Sequence, residues 1–291
     1  MNTPGTLERA PRTAFVLAGG GSLGAVEVGM LRQLLRWGEK PALVVGASAG
    51  AINSAYFAAR PTLEGVASLE QIWRDMRRQD LFPLGLRSVL ALLARQPYLV
   101  GSGGLRSVLE RHLPYARLQD AALPVHIVAS DMVSGDEVLL SSGSVVDAVM
   151  ASAAIPGVFP PVRIDGRMLV DGGVANNTPI STAVRLGATR VIVLPTGFAC
   201  ALKQVPTTAI GRAMHALSLL VARQLVHDAE RFAAAVELRI VPSLCPLNCS
   251  PYDYSSASQL IERAATATQQ WLEAGGLDRT GTPMPLHEHA H

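Results

Sequence analysis

Residues 13–50 have the sequence TAFVLAGGGSLGAVEVGMLRQLLRWGEKPALVVGASAG. This stretch decides the fold, because it contains two short apolar runs, Thr13–Ala18 and Ala42–Ala47, each followed by small residues. Such runs are typical of strands that are buried on both faces of a parallel sheet. Between them, Leu23–Trp37 carries apolar residues at helical spacing. The stretch therefore predicts a β-α-β unit, and Ala49–Ala59 continues as a helix directly out of the second strand.

Outside this unit, apolar runs alternate with helical patterns along the rest of the chain. We predict further strands at 125–130, 137–140, 168–173, 190–195 and 236–242, and long helices at 208–235 and 255–273. Residues 64–111 show no strand pattern and hold three helical stretches, around Ile72–Trp73, Val89–Leu93 and Leu105–Leu109. The fold class is therefore α/β, with three α/β/α layers, a mainly parallel central sheet and a helical insert after the second strand.

The composition excludes several classes of protein. Of 291 residues, 49% are hydrophobic and only 16% are charged, which excludes a disordered or collagen-like chain. Lys and Arg number 25 against 23 Asp and Glu, a net charge of +2, so the basic surplus of a nucleic-acid-binding protein is missing and no nucleic-acid partner is expected. The opening residues show no signal-peptide pattern and no apolar run is long enough to span a membrane, so we expect a cytoplasmic protein.

Two small clusters are weak candidates for metal or disulfide chemistry. Cys245 and Cys249 lie close together on a Pro-rich loop, where a disulfide or a metal site is less expected than an ordinary loop. The closing sequence HEHAH can hold a metal loosely in solution, but residues 276–291 are more typical of a flexible tail. We therefore predict no metal site.

A glycine-rich turn follows the first strand and opens the first helix. It contains Gly19, Gly20, Gly21 and Gly24, and such a turn at a helix N-terminus can bind a phosphate or an oxyanion through backbone N–H groups. The same glycines satisfy the pattern of a dinucleotide-binding turn. That interpretation needs an acidic residue near the end of the second strand, and none is present there. A glycine-rich turn without a ligand is the remaining alternative.

The second strand ends in Gly46-Ala47-Ser48-Ala49-Gly50, which is the pattern of a nucleophile elbow. Small flanking residues tolerate the strained backbone that projects the serine, and the following helix directs its positive end towards it. The pattern alone is common by chance in a chain with 26 glycines. It gains weight here from its position beside the glycine-rich turn, at the same end of the predicted sheet.

A serine hydroxyl needs a base near neutral pH. Outside the tail the histidines are His112, His126, His215 and His227, which fall on a helix end, inside a strand and on the flanks of a long helix. None of these is a good position for a catalytic imidazole. Asp171, in the Asp171-Gly172-Gly173 triplet, follows a predicted strand where sites of α/β proteins gather, although an aspartate there can also simply cap a turn.

These motifs, in this order, resemble the patatin-like phospholipase family. The sequence from Ala151-Ser152 through Ile155-Pro156 to Phe159 also looks like the family. The resemblance implies a catalytic domain over 13–195, with a helix-strand-helix extension at 196–275 packed on the same domain.

The resemblance also implies a site. Ser48 would be the nucleophile of a Ser-Asp dyad, Asp171 the general base, and the glycine-rich turn (Gly19, Gly20, Gly21 and Gly24) the oxyanion hole. No cofactor is implied. Many members carry a basic residue at the position of Leu23, so the electrostatics of this turn do not follow from the resemblance.

The substrate implied is a lipid acyl ester, which is hydrolysed through an acyl-enzyme. Two alternatives stay open: a Ser-His-Asp acyl hydrolase or acyltransferase of another α/β fold, and a non-catalytic lipid-binding protein on this fold. The insert is expected to line the substrate cavity, and its apolar residues are candidates for reversible docking on a membrane surface. The run proposed for docking comprises Leu81, Phe82, Leu84, Leu86, Val89, Leu90, Leu92, Leu93, Tyr98, Leu99 and Val100, interleaved with Arg87 and Arg95.

Overall fold

The computed structural model describes residues 11–81, 98–197, 209–245, 247, 249–251 and 253–279. Its strands are β1 (Thr13–Leu17), β2 (Leu43–Ala47), β3 (Val125–Asp131), β4 (Glu137–Leu140), β5 (Val162–Ile164), β6 (Arg167–Val170), β7 (Arg190–Leu194) and β8 (Glu237–Ile240). Its helices are α1 (Ala25–Arg36), α2 (Ala49–Ala59), α3 (Leu63–Asp75), α4 (Arg78–Leu81), α5 (Gly103–His112), α6 (Val145–Ser152), α7 (Gly173–Asn176), α8 (Ile180–Arg185), α9 (Ala209–Phe232) and α10 (Ala257–Glu273).

All eight strands form one sheet, in the order β5-β6-β3-β2-β1-β7-β8, with β4 also paired to β3. Five neighbouring strands are parallel to one another, namely β3, β2, β1, β7 and β8. Strands β4, β5 and β6 run antiparallel to their partners. The predicted parallel centre is therefore confirmed. The sequence pattern gave no indication of β5, the short strand at one end of the sheet.

Both faces of the sheet are covered, which explains why its central strands lack polar alternation. On β1, Phe15 and Leu17 face a large core formed with α1, α2, α3 and α10, and Ala14 and Val16 face a second core under α8 and α9. Helix α10 packs directly on α1, where Gly29 leaves no room for a side chain against the Ile261 backbone. The three-layer prediction is thus confirmed.

The helical insert lies between α2 and β3. Helices α3 and α5 contain two of the three predicted helical stretches, and the third, Val89–Leu93, lies outside the described residues. Two residues assigned to membrane docking are in fact buried, Leu81 at 3% and Val100 at 4% exposure, since both pack into the main core. That assignment is wrong for them, whereas Leu99 is exposed and residues 82–97 are not described.

The C-terminal part is integrated into the same sheet and core. Strand β8 pairs with β7, and Gly276–Asp278 forms a short 3-10 helix after α10. Cys249 is a free thiol, whereas Cys245 is disulfide-bonded to a cysteine other than Cys249. The expectation of a loop without a disulfide is therefore wrong for Cys245. The described part of the chain contains no group of three or more potential metal ligands. None of its helices is long and apolar enough to cross a bilayer.

Candidate active site

The register of the sheet brings Ser48 and Asp171 together. Strand β2 pairs with β3 as far as Ala47, and β6 pairs with β3 in the opposite direction as far as Val170. Ser130 pairs with β4 on one edge of β3, so it pairs with Val170 of β6 on the other edge. That other edge is the one along which β2 pairs with the earlier residues of β3. Strands β2 and β6 thus meet end to end along one edge of β3, and the residue after each strand lies at the junction.

Ser48 occupies a strained turn between β2 and α2. Its backbone has φ 53° and ψ −119°, a left-handed conformation that is costly for any residue with a side chain. The neighbouring glycines permit the tight turn, because a Cβ at Gly46 would lie 2.3 Å from the Gly50 carbonyl oxygen, and one at Gly50 would lie 2.3 Å from Leu17 O. A tight strand-to-helix turn is therefore observed at the position where the sequence predicts a nucleophile elbow.

The Ser48 hydroxyl donates a 2.7 Å hydrogen bond to Oδ2 of Asp171. The other carboxylate oxygen, Oδ1, accepts a 2.7 Å hydrogen bond from the Gly173 backbone N–H, which fixes the carboxylate plane. Burial raises the pKa of Asp171 to about 6, although both hydrogen bonds act in the opposite direction. The carboxylate is therefore still ionised at neutral pH and has become a better proton acceptor than an exposed aspartate.

Two further serines hold this pair in place. The Ser48 N–H donates to Ser152 Oγ at 2.9 Å, and Ser152 Oγ donates to the Val128 carbonyl at 2.5 Å. Ser130 Oγ donates to the Asp171 carbonyl at 2.8 Å and accepts from the Ala175 N–H. Neither serine stands in a sequence motif that indicates this role. Ser152 lay within a family-like stretch, but nothing in the sequence placed its hydroxyl against the elbow.

The glycine-rich turn passes directly beside Ser48. A Cβ at Gly19 would lie 3.1 Å from the Ser48 Cβ, and one at Gly20 would collide with Thr196. The Gly19 carbonyl accepts hydrogen bonds from Thr196 Oγ1 at 2.7 Å and Asn177 Nδ2 at 3.2 Å. The side chains of Thr196 and Asn177 thus anchor the turn, and no motif in the sequence indicates either of them.

The four glycines of the predicted oxyanion hole are not equivalent. The Gly19 N–H donates to the Asn177 carbonyl at 3.0 Å, and is therefore already used. Gly24 closes the 3-10 turn Gly21–Gly24 and serves packing. The N–H groups of Gly20 and Gly21 have no acceptor among the residues that the structure describes. The geometry therefore narrows the oxyanion-hole prediction to these two donors.

An apolar cleft opens beside Ser48. It encloses about 410 Å³ including its open mouth. Its lining residues are Gly21, Ser48, Ala49, Ile52, Trp73, Met76, Leu81, Leu105, Ala153, Ile155, Phe159 and Tyr254. Four of them, Trp73, Met76, Leu81 and Leu105, belong to the insert. The buried Leu23 belongs to the main core, so this turn presents no charge from that position.

No histidine whose side chain the structure describes is hydrogen-bonded to Ser48 or Asp171. His112 and His227 are exposed, and His126 Nδ1 lies 2.7 Å from Ser141 Oγ on the neighbouring hairpin. Burial lowers the pKa of His126, so it is neutral at pH 7. The side chain of His215 lies outside the described part of the structure.

Comparison with known proteins assigns the family. The structure of human GIVD cytosolic phospholipase A2 in complex with methyl gamma-linolenyl fluorophosphonate superposes on this chain with a TM-score of 0.50 and 15% sequence identity. The superposition covers 93% of this chain and 59% of that one, and it supports the fold alone. An uncharacterized NTE family protein of Mycobacterium tuberculosis (strain CDC 1551 / Oshkosh) is 34% identical over 166 residues, 57% of this chain and 27% of the relative.

Patatin-like phospholipase domain-containing protein 7 of Rattus norvegicus is 28% identical over 186 residues, 63% of this chain and 13% of that protein. The chain therefore spans about a quarter or less of the length of these two relatives. The sequence model of the patatin-like phospholipase family matches residues 15–184, a range that contains the elbow, the glycine-rich turn and Asp171. On this match, over more than half of its length, the chain belongs to the patatin-like phospholipase family.

Proposed function

We propose that this protein is a serine hydrolase of lipid acyl esters, of the phospholipase A, lysophospholipase or esterase type. The observation that carries the proposal is the direct 2.7 Å hydrogen bond from Ser48 Oγ to Asp171 Oδ2, at the side of an apolar cleft. A hydroxyl with a base in hydrogen-bond contact is the arrangement that nucleophilic catalysis requires. Family membership supports the same class of reaction.

Acylation begins with Ser48. Its oxygen attacks the ester carbonyl carbon as Asp171 Oδ2 takes the hydroxyl proton, and the carbonyl oxygen becomes an oxyanion. The N–H groups of Gly20 and Gly21 are the proposed donors to this oxyanion, and loss of one such donor typically costs about 10²–10³ in rate. The intermediate then collapses, the bond to the leaving alcohol breaks, and Asp171 gives its proton to the alcohol.

Hydrolysis of the acyl-enzyme uses the same groups in the same order. Asp171, again ionised, takes a proton from water as the water oxygen attacks the acyl carbonyl on Ser48. The second intermediate collapses to the free acid and the serine oxygen, which recovers its proton from Asp171. The side chains return to their starting state, and no cofactor enters the cycle.

The two alternatives make different demands on the site. A Ser-His-Asp hydrolase places an imidazole between serine and aspartate, whereas here the two side chains are in direct contact. A non-catalytic lipid-binding protein needs neither a strained serine nor a buried carboxylate beside it. The strain at Ser48 and the raised pKa of Asp171 favour a catalytic pair.

The decisive experiment uses neutral acyl esters and a fluorophosphonate probe. We expect the wild type to hydrolyse the esters and to be labelled once, on Ser48, as located by mass spectrometry of peptides. Ser48→Ala abolishes both signals, and Asp171→Asn lowers turnover by several orders of magnitude, because it removes the base and its charge. Turnover that persists in Ser48→Ala would contradict the proposal, and an inactive, unlabelled wild type would favour the lipid-binding alternative.

A second set of variants tests the Ser-His-Asp alternative. Single replacements of His112, His126, His215 and His227 by Gln are expected to leave turnover within about tenfold of the wild type. Circular dichroism of each variant checks that the fold is intact. A folded histidine variant that is as inactive as Ser48→Ala would show that the site is a Ser-His-Asp triad and not a Ser-Asp dyad.

A further inference from the structure

Trp73 is the largest side chain in the wall of the cleft. It lies on α3, in the insert, and only 1% of its surface is exposed. Beyond Gly21 and Ser48, which lie at one end, the cleft is lined by apolar side chains. The part of the substrate that fits such a cleft is the acyl chain attached to the reacting carbonyl. The position of the indole therefore bears on how much of that chain can enter.

Several contacts fix the indole. Its Nε1–H donates a 2.7 Å hydrogen bond to Asn53 Oδ1, and its ring stacks on Tyr254 with a centroid distance of 6.1 Å and an angle of 10°. Its far edge packs on Gly24, where an added Cβ would lie 3.0 Å from two ring carbons. The indole is therefore fixed by Asn53 at its N–H, by Tyr254 on one ring face and by Gly24 at its far edge. It cannot rotate out of the wall without breaking the buried hydrogen bond to Asn53.

A polar cluster lies behind the indole. Asn53 Nδ2 donates to Glu27 Oε2 at 2.7 Å and to the Gly24 carbonyl at 2.9 Å. Glu27 is fully buried, and its Oε1 has no hydrogen-bond partner among the described residues. Trp73 thus separates the apolar cleft from a buried carboxyl and amide, and its ring stops the cleft at that point.

We infer that Trp73 sets the upper limit on the acyl chain that this site accepts. The inference rests on the proposed function and names a specificity-determining residue within it. The indole occupies space into which the cleft would otherwise continue, between Gly24, Asn53 and Tyr254. Its removal lengthens the cleft without touching the hydroxyl, the base or the oxyanion donors.

The expected effect follows from the burial of methylene groups. Each additional methylene that finds room in an apolar cavity raises kcat/KM by about fourfold, whereas one that meets a wall gains nothing or is rejected. In the wild type, kcat/KM should rise with chain length and then stop rising. In Trp73→Ala the rise should continue to longer chains, and the shortest esters should change little.

Three matched variants separate size from other effects. Trp73→Phe loses the N–H donor but retains most of the ring, so its chain-length limit should stay close to that of the wild type. Trp73→Leu is apolar and intermediate in size, and it remains available if Trp73→Ala folds poorly. Trp37→Ala removes an indole that is 52% exposed at the end of α1, and should leave the profile unchanged.

The experiment measures kcat/KM for p-nitrophenyl esters from acetate to palmitate, and the rate of Ser48 labelling by alkyl fluorophosphonates of increasing length. We expect both profiles to extend to longer chains in Trp73→Leu and Trp73→Ala, and not in Trp73→Phe or Trp37→Ala. An active wild type whose limit is unchanged in folded Trp73→Leu and Trp73→Ala overturns this inference alone. A wild type inactive on every ester, including acetate, overturns the proposed function instead.

Discussion

Ser48 combines a buried hydroxyl with a backbone conformation that suits glycine better than serine. The φ of 53° and ψ of −119° are close to those of the first central residue of a type II′ turn. We expect Ser48→Gly to be more stable than Ser48→Ala by about 1 kcal/mol, because glycine adopts this conformation without a side-chain clash. Urea unfolding of the two inactive variants measures the difference, and equal midpoints would show that the turn stores no strain.

Asp171 sets the expected pH dependence. Only its ionised form can accept the Ser48 proton, and burial raises its pKa to about 6. We therefore expect kcat/KM for a neutral ester to fall tenfold per pH unit below about pH 6 and to level off above it. Rates measured at constant ionic strength give the apparent pKa. A profile that stays flat to about pH 4 would mean that Asp171 is not the base.

At the scale of secondary structure elements, Glu27 lies where α1, α2 and α3 meet beneath the glycine-rich turn. Burial raises its pKa well above the usual value, so the folded protein keeps a proton that the unfolded chain loses above about pH 4.3. The free energy of unfolding therefore falls as pH rises from that value towards the folded-state pKa.

Glu27→Gln removes this proton linkage, because the amide is neutral at every pH. We expect the variant to gain stability relative to the wild type as pH rises above about 4.3, the pKa of glutamate in the unfolded chain. Glu230→Gln is the matched control, since Glu230 is exposed on α9. Chemical unfolding at several pH values provides the measurement, and parallel curves for wild type and Glu27→Gln would show that Glu27 is ionised in the folded state.

Secondary structure was predictable where the pattern was strong and local. The helix predicted at Ala49–Ala59 is observed with the same bounds. Each of the two apolar runs that precede it differs from its strand, β1 or β2, by a single residue at one end. Strand β5 was missed, because it has three residues, two half-buried and one exposed, and owes its conformation to pairing with β6. A strand defined by its partner leaves no periodic signal in its own sequence.

The candidate site was predictable only in part. Ser48 and Asp171 could be selected because each follows a strand within a short motif. Their contact depends on β6 meeting β2 end to end along β3, and that register is a property of the folded sheet. The roles of Ser130 and Ser152 depend on the same register, since their hydroxyls bond groups 41 and 104 residues away.

At the scale of the whole molecule, one charged network ties the insert to α1 and α10, the first and last α-helices that the structure describes. Arg32 on α1 and Arg74 on α3 each pair with Glu70 on α3 and Glu262 on α10, at 2.6–2.8 Å. Single exposed pairs contribute little stability, but a closed set of four fixes the relative positions of the three helices. Helix α3, which carries Trp73, is thereby held in place from its solvent side.

The sheet order also has a consequence for how the protein is made on the ribosome. Strand β1 pairs with β2 on one edge and with β7 on the other, where Thr13 faces Arg190. At 5–20 residues per second, the roughly 170 residues between β1 and β7 take about 9–35 s to synthesise. Throughout that interval the backbone N–H and C=O groups on this edge of β1 lack their partner strand, and they can pair with a strand of another nascent chain. A strand that lies inside the folded sheet is thus an exposed edge in the nascent chain, where binding of a chaperone would prevent such pairing.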